Sequence, residues 1–210
     1  MQITFILLMT IHTPTMSESV MVGQFEKGDL QGWTEKIFNK NTIYRIVDIA
    51  GKQALQSVSN NSASGLYKKV KIDLTKTPYL NWSWRIDNTL TNTDEKSKQG
   101  DDYAARVYVI FSGGLLFWRT HSLNYVWSSN QKEGSHWPNA YTDNNHMIAV
   151  NSGKPDSSQW VSVKRNIRND YKAYFGADIN SAEAIAIMTD TDNSGQQAIS
   201  YYGNIFFSSE

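Results

Sequence analysis

One short segment constrains the architecture of this chain more than any other, because it is strongly β-prone and yet carries charged side chains. The segment is Gly100–Phe111, with the sequence GDDYAARVYVIF. The side chains of a strand alternate between its two faces. One face would consist of Tyr103, Ala105, Val107, Val109 and Phe111, and the other of Asp102, Ala104, Arg106, Tyr108 and Ile110. The first face is apolar, so it predicts packing against a core.

The second face poses the question of how its charges are stabilised. A charged group on a strand face must be paired, hydrated or functional, because burying it alone is costly. Asp102 and Arg106 are four residues apart, which along a strand is roughly 13 Å, so they do not pair with each other. Each needs a partner from a neighbouring strand. The pattern predicts either a polar site or a structural ion-pair network across one sheet face.

The rest of the chain repeats short stretches of apolar alternation that are separated by turn residues. Many short strands with regular turn signals favour a β-sandwich or a β-barrel. One helix is predicted over Arg168–Phe175, with Asn169 or Asp170 as its cap and Gly176 at its end. The polar stretch Asn88–Gly100 is predicted to be a mobile loop. The predicted strands are Val20–Phe25, Thr42–Ile49, Lys52–Ser59, Gly65–Val70, Tyr79–Ile86, Ala104–Phe111, Asn124–Ser128, His146–Val150, Gln159–Asn166, Ala184–Thr189 and Ala198–Phe207.

The charge balance and the cysteine count exclude several classes of function. Lys plus Arg and Asp plus Glu both number 20, so there is no basic excess that would indicate a nucleic-acid partner. The chain contains no Cys, which excludes disulfides and thiolate metal sites. Abundant Asn, Ser and aromatic residues with few charges favour an exported protein of short strands and many turns.

The first residues predict export. The run Ile3–Ile11 is apolar but too short to span a membrane, and it suits the apolar core of a signal peptide. We therefore expect residues 1–19 to be a signal peptide or a disordered N-terminus, residues 20–210 to form one domain, and the protein to be periplasmic or extracellular. No transmembrane segment is expected. The alternative is a disordered start, with translation beginning at Met16.

The segment that opens the domain resembles the start of secreted jelly-roll modules, especially carbohydrate-binding ones. It reads Phe25-Glu-x-Gly-x-Leu-x-Gly-Trp33. In such modules the Glu, here Glu26, often helps to bind a structural calcium together with a carboxylate near the C-terminus. In this chain Asn204 stands at the matching position. The favoured interpretation is a first strand, a turn at Gly28 and a packed Trp33, without calcium.

The tryptophans are divided between two roles. Trp82 and Trp84 share one strand face with Leu80 and Ile86, so a core position is favoured over a sugar-stacking platform. Other tryptophans are predicted to be exposed and able to stack on a sugar. These are Trp118, Trp127 and Trp137.

One segment has the first half of a calcium-loop pattern. Asp190-Thr-Asp192-Asn-Ser194-Gly195 places carboxylates at positions 1 and 3 and Gly at position 6, but Tyr201 stands where the bidentate Glu belongs. Calcium on Asp190 and Asp192 therefore competes with a hairpin turn, which is favoured. The four histidines, His12, His121, His136 and His146, lack close ligand spacing, so no zinc site is expected. No nucleophile-elbow, P-loop or dinucleotide motif occurs.

Several motifs together resemble a bacterial family of exported proteins known only as a domain of unknown function. They are Trp82–Arg85, Gly100–Arg106, Asn124–Trp127, Arg165–Tyr171 with Phe175-Gly176, and Ile185–Asn193, in order between Phe25 and Phe207. The resemblance implies a single β-sandwich domain behind a signal peptide, and it implies no activity. The polar motif positions of the family correspond here to Arg85, Asp101, Asp102, Arg106, Trp127, Arg165, Asp170, Asp190 and Asp192.

The predicted fold is all-β, a two-sheet antiparallel β-sandwich like that of jelly rolls and carbohydrate-binding modules, with at most one or two short helices. The favoured function is non-catalytic binding of a saccharide or another polar ligand of the cell envelope. The alternatives are a glycan-cleaving hydrolase or lyase, with Asp101, Asp102 or Asp190 as acid or base, and a structural envelope protein. The predicted ligand-binding residues are Arg85, Asp101, Asp102, Arg106, Tyr108, Trp118, Trp127 and Arg165, with Asp190 and Asp192 as candidate calcium ligands.

Overall fold

The protein folds into two β-sheets packed face to face, with one short α-helix. The computed structural model describes residues 18–91, 93–113, 120–154 and 159–210. Its strands are β1 (Ser19–Gly23), β2 (Thr34–Asn39), β3 (Ile43–Ile49), β4 (Lys52–Asn60), β5 (Ala63–Asp73), β6 (Tyr79–Ile86), β7 (Tyr103–Phe111), β8 (His121–Ser128), β9 (His136–Asn139), β10 (Thr142–Ser152), β11 (Val161–Asn166), β12 (Ser181–Asp190) and β13 (Gln197–Ser208). Helix α1 is Ile167–Phe175, and Phe25–Lys27 and Lys98–Gly100 form short 3-10 turns.

The strand order confirms the two-sheet sandwich. The first sheet has the order β11-β6-β13-β4-β3, with β1 also paired to β13. The second has the order β2-β5-β12-β7-β8-β10-β9. Among the described residues every strand pair is antiparallel except β8 and β10, which are parallel. No helix in the described part of the chain is long and apolar enough to cross a membrane.

The core lies between the facing sheets. From the second sheet, Val107, Val109, Phe111, Ile185 and Ile187 are buried, as predicted from alternation. From the first, Trp82 and Trp84 point inwards as favoured, with their rings in a T-shaped contact at 5.4 Å between centroids. Burying these large rings removes apolar area from water, which stabilises the fold.

Alternation fails at the start of β7, where the strand contains a β-bulge. Met188 of β12 is paired with Arg106, but Asp190 is paired with Tyr103, so β7 has one extra residue here. A bulge of this kind shifts the side chains before it to the other face. Tyr103 consequently lies on the side of Arg106, with the guanidinium carbon 4.2 Å from its ring centroid. The prediction that Tyr103 shares the face of Val107 is wrong.

Side chains from both sheets satisfy the backbone groups that the bulge leaves unpaired. The N–H of Arg106 donates to the hydroxyl of Tyr202, which lies on the opposite sheet, at 3.2 Å. That hydroxyl donates to the carbonyl of Met188 at 2.9 Å. The Oγ1 of Thr189 donates to the carbonyl of Ala104 at 2.9 Å. Buried backbone groups need such partners, so the bulge ties the two sheets together.

The opening segment forms the predicted turn at Gly28 and packs Trp33. Gly28 has a left-handed φ of 71° after the 3-10 turn, and the ring of Trp33 packs 5.4 Å from that of Phe25. The backbone N–H of Glu26 donates to Oδ1 of Asn204 at 3.1 Å. The side-chain amide of Asn204 thus links the opening segment to strand β13 through a hydrogen bond.

Four local predictions need correction. Strands β2 and β9 were not predicted, because β2 is exposed throughout and β9 contains Pro138, which is unusual in strands. Strands β12 and β13 belong to different sheets, so the turn between them is not a hairpin. Helix α1 starts one residue early, at Ile167. Its N-cap is Asn166, whose side chain accepts from Asn169 N at 3.1 Å, and Gly176 ends it as predicted.

Val109→Asp should unfold the domain, because it would place an unpaired carboxylate between the sheets. We expect a loss of about 4 kcal/mol or more in the free energy of unfolding, measured by urea titration. Ser162→Asp on edge strand β11 introduces the same group at an exposed position, and it should change that free energy by no more than about 0.5 kcal/mol. Equal effects of the two substitutions would contradict the assignment of the faces.

Candidate functional site

A groove of about 930 Å³ runs across the outer face of the seven-stranded sheet. This volume lies within the range of about 300–1,000 Å³ that is usual for ligand sites. Its lining comes from β2, β5, β7, β12 and the β9–β10 region. The lining residues include Glu35, Lys36, Phe38, Gly65, Tyr67, Asp101, Arg106, Tyr108, Ile110, Asn139, Tyr141, Asn145, Ala186, Met188, Asp190, Asp192 and Asn193.

Small residues in register keep the floor of the groove low. Gly65 is paired with Met188, and Ala186 lies between Tyr67 and Tyr108 on the neighbouring strands. A Cβ at Gly65 would lie 3.0 Å from the carbonyl oxygen of Ile187, so a larger residue there would crowd the sheet. The groove forms because the short residues Gly65 and Ala186 lie beside longer side chains on the neighbouring strands.

Two exposed aromatic rings stand at opposite edges of this sheet. Phe38 on edge strand β2 is 61% exposed, and Tyr141, in the turn between β9 and β10, is 57% exposed. The Tyr141 hydroxyl donates to the carbonyl of Lys98 at 3.2 Å, and its N–H donates to Oδ1 of Asn139 at 3.0 Å, so the ring is held in place. Sequence analysis missed both rings, because neither lies in a stretch of regular alternation.

Arg106 lines the floor of the groove and is only 3% exposed. Its Nη2 donates to Oδ2 of Asp190 at 2.5 Å and also to the backbone carbonyl of Asp101. Its Nη1 donates to the Tyr108 hydroxyl at 3.1 Å and lies 3.7 Å from Oδ2 of Asp101. The predicted partner from a neighbouring strand is therefore Asp190 of β12.

Asp101 is positioned by the loop that precedes it. The loop was predicted to be mobile, but the side chain of Glu95 is buried and accepts from Ser129 N at 2.6 Å. The carbonyl of Glu95 accepts from the Tyr103 hydroxyl at 2.9 Å. At the end of the loop, Nδ2 of Asn139 donates to both carboxylate oxygens of Asp101, at 3.1 and 3.2 Å. These contacts anchor the part of the loop that leads to Asp101.

The ionisation of the site follows from its burial and its pairing. Burial alone would lower the pKa of Arg106, but Asp190 beside it raises that pKa above its ordinary value, so the guanidinium stays charged. Burial raises the pKa of Tyr108 to about 12, against a smaller opposing effect of Arg106. Tyr108 therefore keeps its proton at neutral pH, and it acts as a hydrogen-bonding group and not as a phenolate.

One donor on the floor has no partner among the described residues. Nε of Arg106 is buried and makes no hydrogen bond there, and the same is true of Oδ1 of Asn124 on the adjacent strand β8. An unsatisfied buried polar atom costs free energy, which a hydrogen bond to a water or a ligand removes. Arg106 therefore has a buried N–H that neither its ion pair nor another described residue uses.

The acidic residues beside Arg106 lie close together. Carboxylate oxygens of Asp102, Asp190 and Asp192 are within 4.8 Å of one another. Asp102 accepts from the backbone N–H groups of Asn193 and Ser194, at 3.3 and 2.6 Å. Since Asp190 is bonded to Arg106, most of the oxygens that calcium would need already have protein donors.

A comparison with models of protein families identifies the family of this chain. Residues 31–206 match the model of the family described as "Protein of unknown function (DUF3047)". The chain belongs to this DUF3047 family. A comparison with curated proteins finds no match.

Solved structures with a similar fold include two carbohydrate-binding modules of Clostridium thermocellum. One is the family 11 module of the cellulosomal cellulase Lic26A-Cel5E, at 11% identity and a TM-score of 0.51, with 92% of this chain and 95% of that chain covered. The other is the family 30 module of the cellulosomal cellulase Cel9D-Cel44B, at 10% identity and a TM-score of 0.52, with 92% and 98% covered. At such identities the similarity establishes the fold alone.

The structure of this DUF3047 protein brings some of the predicted site residues together and separates others. The floor of the groove contains Asp101, Arg106 and Tyr108, with Asp190 and Asp192 beside them. Asp102 is buried under the turn at Asn193. Trp118 lies outside the described residues.

Three predicted ligand-binding residues make structural contacts away from the groove. Trp127 is 4% exposed and packs 6.0 Å from Trp84, so the prediction that it is exposed is wrong, as it is for the buried Trp137. Arg85 lies in the other sheet and pairs with Asp87 at 2.9 Å. Arg165 is on β11 and pairs with Asp170 at 2.6 Å.

Asp190→Ala should be strongly destabilising, because it leaves the buried guanidinium of Arg106 without its carboxylate. We expect a loss of about 3–5 kcal/mol in the free energy of unfolding, and the double variant R106M/D190L should recover most of it. Asp178→Ala removes an exposed ion pair with Lys172 and should cost no more than about 0.5 kcal/mol. A small effect of Asp190→Ala in urea titrations would refute the central role of the pair.

Calcium should leave the stability of the protein unchanged. The carboxylates of Asp102 and Asp190 already accept hydrogen bonds from protein donors, and the loop supplies no bidentate Glu. Thermal melts in calcium and in chelator should therefore give the same midpoint. A higher midpoint in calcium that is lost in Asp192→Asn would establish a metal site instead.

Proposed function

We propose that this protein is an exported, non-catalytic module that binds a neutral saccharide in the groove of its seven-stranded sheet. The observation that carries the proposal is the pair of exposed rings, Phe38 and Tyr141, on either side of a mainly apolar floor that also contains polar side chains. Aromatic rings stack on the apolar faces of pyranose rings, while polar groups bind the hydroxyls. The export part of the proposal rests on the apolar run Ile3–Ile11, which lies outside the described residues.

The charges of the groove favour a neutral ligand over an acidic one. The lining contains two basic side chains, Lys36 and Arg106, and four acidic ones, Glu35, Asp101, Asp190 and Asp192. Arg106 is already paired with Asp190, so the groove has no free cluster of positive charge. A uronic acid polymer would meet like charge, which opposes binding.

The polar groups of the floor suit hydroxyl recognition. The side-chain amides of Asn145 and Asn193 line the groove. Each amide can both donate and accept, as a sugar hydroxyl can. Two proteins that share the fold are named as carbohydrate-binding modules, so a saccharide is the ligand class to test first.

The glycan-cleaving alternative has less support in the geometry. A glycosidase needs one carboxylic acid that can give up its proton and a second carboxylate free to act as base or nucleophile. Here Asp101 accepts from Asn139 and lies beside Arg106, and Asp190 is bound to Arg106. Their oxygens are committed to holding the guanidinium, so a positioning role is favoured over acid–base chemistry.

A role as a structural envelope protein explains the buried charges but not the exposed rings of Phe38 and Tyr141 at the edges of the groove. Arg106, Asp102 and Asp190 are buried and bonded to protein groups, as a purely structural network would require. Such a network gives no reason for large aromatic rings at both edges of an open groove. Exposed apolar groups beside a groove are typical of binding sites.

The test is a glycan-array screen followed by titration calorimetry on the best neutral ligand. Phe38→Ala and Tyr141→Ala should each weaken binding by about tenfold, or 1.4 kcal/mol, through loss of the stacking area. Trp160→Ala is the matched control, because Trp160 is an exposed aromatic residue that does not line the groove. The Trp160→Ala variant should bind the glycan as tightly as the unaltered protein does.

Three outcomes would contradict the proposal. One is a screen in which no neutral glycan binds, and another is preferential binding of uronic acid polymers. The third is an affinity that is unaffected by both groove substitutions while melting midpoints show that the variants are folded. Release of reducing or unsaturated sugar ends from a bound glycan would favour the enzyme instead.

A further inference from the structure

Away from the groove, two histidines of neighbouring strands meet at the surface. His136 is on β9 and His146 on β10, and they are diagonal neighbours because His146 is opposite Pro138 and Ile148 opposite His136. Nδ1 of His136 lies 3.0 Å from Nε2 of His146. The two residues are ten apart along the chain, so sequence spacing did not indicate the contact.

Helix α1 holds both imidazole rings in this arrangement. The ring of Tyr174 stacks on that of His146, with centroids 4.4 Å apart and planes at 14°, and it lies 4.7 Å from that of His136. Phe175 contacts His146 from its edge, with centroids 6.2 Å apart. The pair is thus oriented by packing before any ligand binds, which lowers the entropic cost of binding.

The geometry points to a two-histidine binding site for a late first-row divalent cation. Metal–imidazole bonds are about 2.0–2.1 Å long, so a cation bound to two nitrogens at the observed separation would make an angle of about 90° with them. This is the angle between neighbouring ligands in tetragonal Cu²⁺ and octahedral Ni²⁺ sites, and it is smaller than the tetrahedral angle that Zn²⁺ prefers. We propose that His136 and His146 bind Cu²⁺ most tightly, Ni²⁺ and Zn²⁺ less tightly, and Ca²⁺ or Mg²⁺ not at all.

The hydrogen bond within the pair does not prevent metal binding. In this bond one ring nitrogen donates its proton to the other, and either ring can be the donor. When the cation binds, the donor ring moves this proton to its other nitrogen, so both facing nitrogens present a lone pair. His136 is exposed, which gives the cation access and leaves its other coordination positions to water.

The test is calorimetric titration of the full chain with CuCl₂, NiCl₂ and CaCl₂ at neutral pH. We expect one Cu²⁺ per chain, weaker Ni²⁺ binding and no heat of binding from calcium. His136→Asn and His146→Gln keep a polar atom near each ligating nitrogen but remove the imidazole, and each should weaken Cu²⁺ binding by at least about tenfold. In the electron paramagnetic resonance spectrum of the Cu²⁺ form, the hyperfine pattern should indicate two equivalent nitrogens.

His121→Gln is the matched control. His121 belongs to the same ring cluster, stacked 4.4 Å from Phe175, but its Nδ1 is bonded to the Tyr171 hydroxyl at 2.8 Å. His121→Gln and, as a second separate control, His12→Gln should each bind Cu²⁺ as tightly as the unaltered protein. The proposal would be overturned if His136→Asn and His146→Gln both bound Cu²⁺ as tightly as the unaltered protein, or if only the His12 or His121 variant lost affinity. Melting midpoints report whether each variant is folded.

Discussion

The buried guanidinium of Arg106 is the charge around which the open face of the seven-stranded sheet is organised. Arginine keeps its proton in proteins, so its burial must be offset by partners. Asp190 comes from the adjacent strand, Asp101 from the anchored loop before β7, and the rings of Tyr103 and Tyr108 complete the surroundings. Because these partners belong to different segments, the ion pair is complete only when β7, β12 and the loop are assembled. An unpaired buried guanidinium would cost free energy, so the strands and the loop of this face are held in the one arrangement that completes the ion pair.

The bulge in β7 connects that ion pair to the rest of the sandwich. It places Tyr103 and Arg106 on the same face, and Tyr202 and Thr189 then satisfy the backbone groups that it frees. Thr189 also contacts the buried hydroxyls of Ser57 and Ser200 at 2.6 and 2.8 Å, which extends the polar contacts between the sheets. Such hydroxyl networks are stabilising when all their members are bonded. The floor of the groove is thereby fixed to the opposite sheet and not only to its neighbouring strands.

The sequence predicted the parts of this fold that depend on local periodicity. Alternation identified the inward faces of β7 and β12, and the polar positions of β7 indicated that Arg106 needs a carboxylate from another strand. It did not predict the bulge, because the extra residue is recognisable only from the register with β12. It also did not show that Trp127 packs against Trp84, since both core and exposed tryptophans occur in alternating strands. Edge strand β2 was missed for a related reason, as its exposed residues carry no apolar pattern.

The floor of the groove contains buried charged residues, whereas its edges carry exposed aromatic rings. Substitutions in the floor are therefore expected to affect folding, and substitutions at the edges are expected to affect mainly the proposed ligand binding. Arg106 and Asp190 are buried and contact several segments, so substitutions there act on folding as well as on the groove. Phe38 and Tyr141 are exposed at the two edges of the sheet, so their replacement removes contact area without opening a cavity in the core. Under the proposed function, substitutions in edge-strand and turn residues would change the ligand, while the buried charges of the sheet stay in place. The polar residues that are most conspicuous in the sequence therefore support the site, and the inconspicuous aromatic residues are the ones that would contact the ligand.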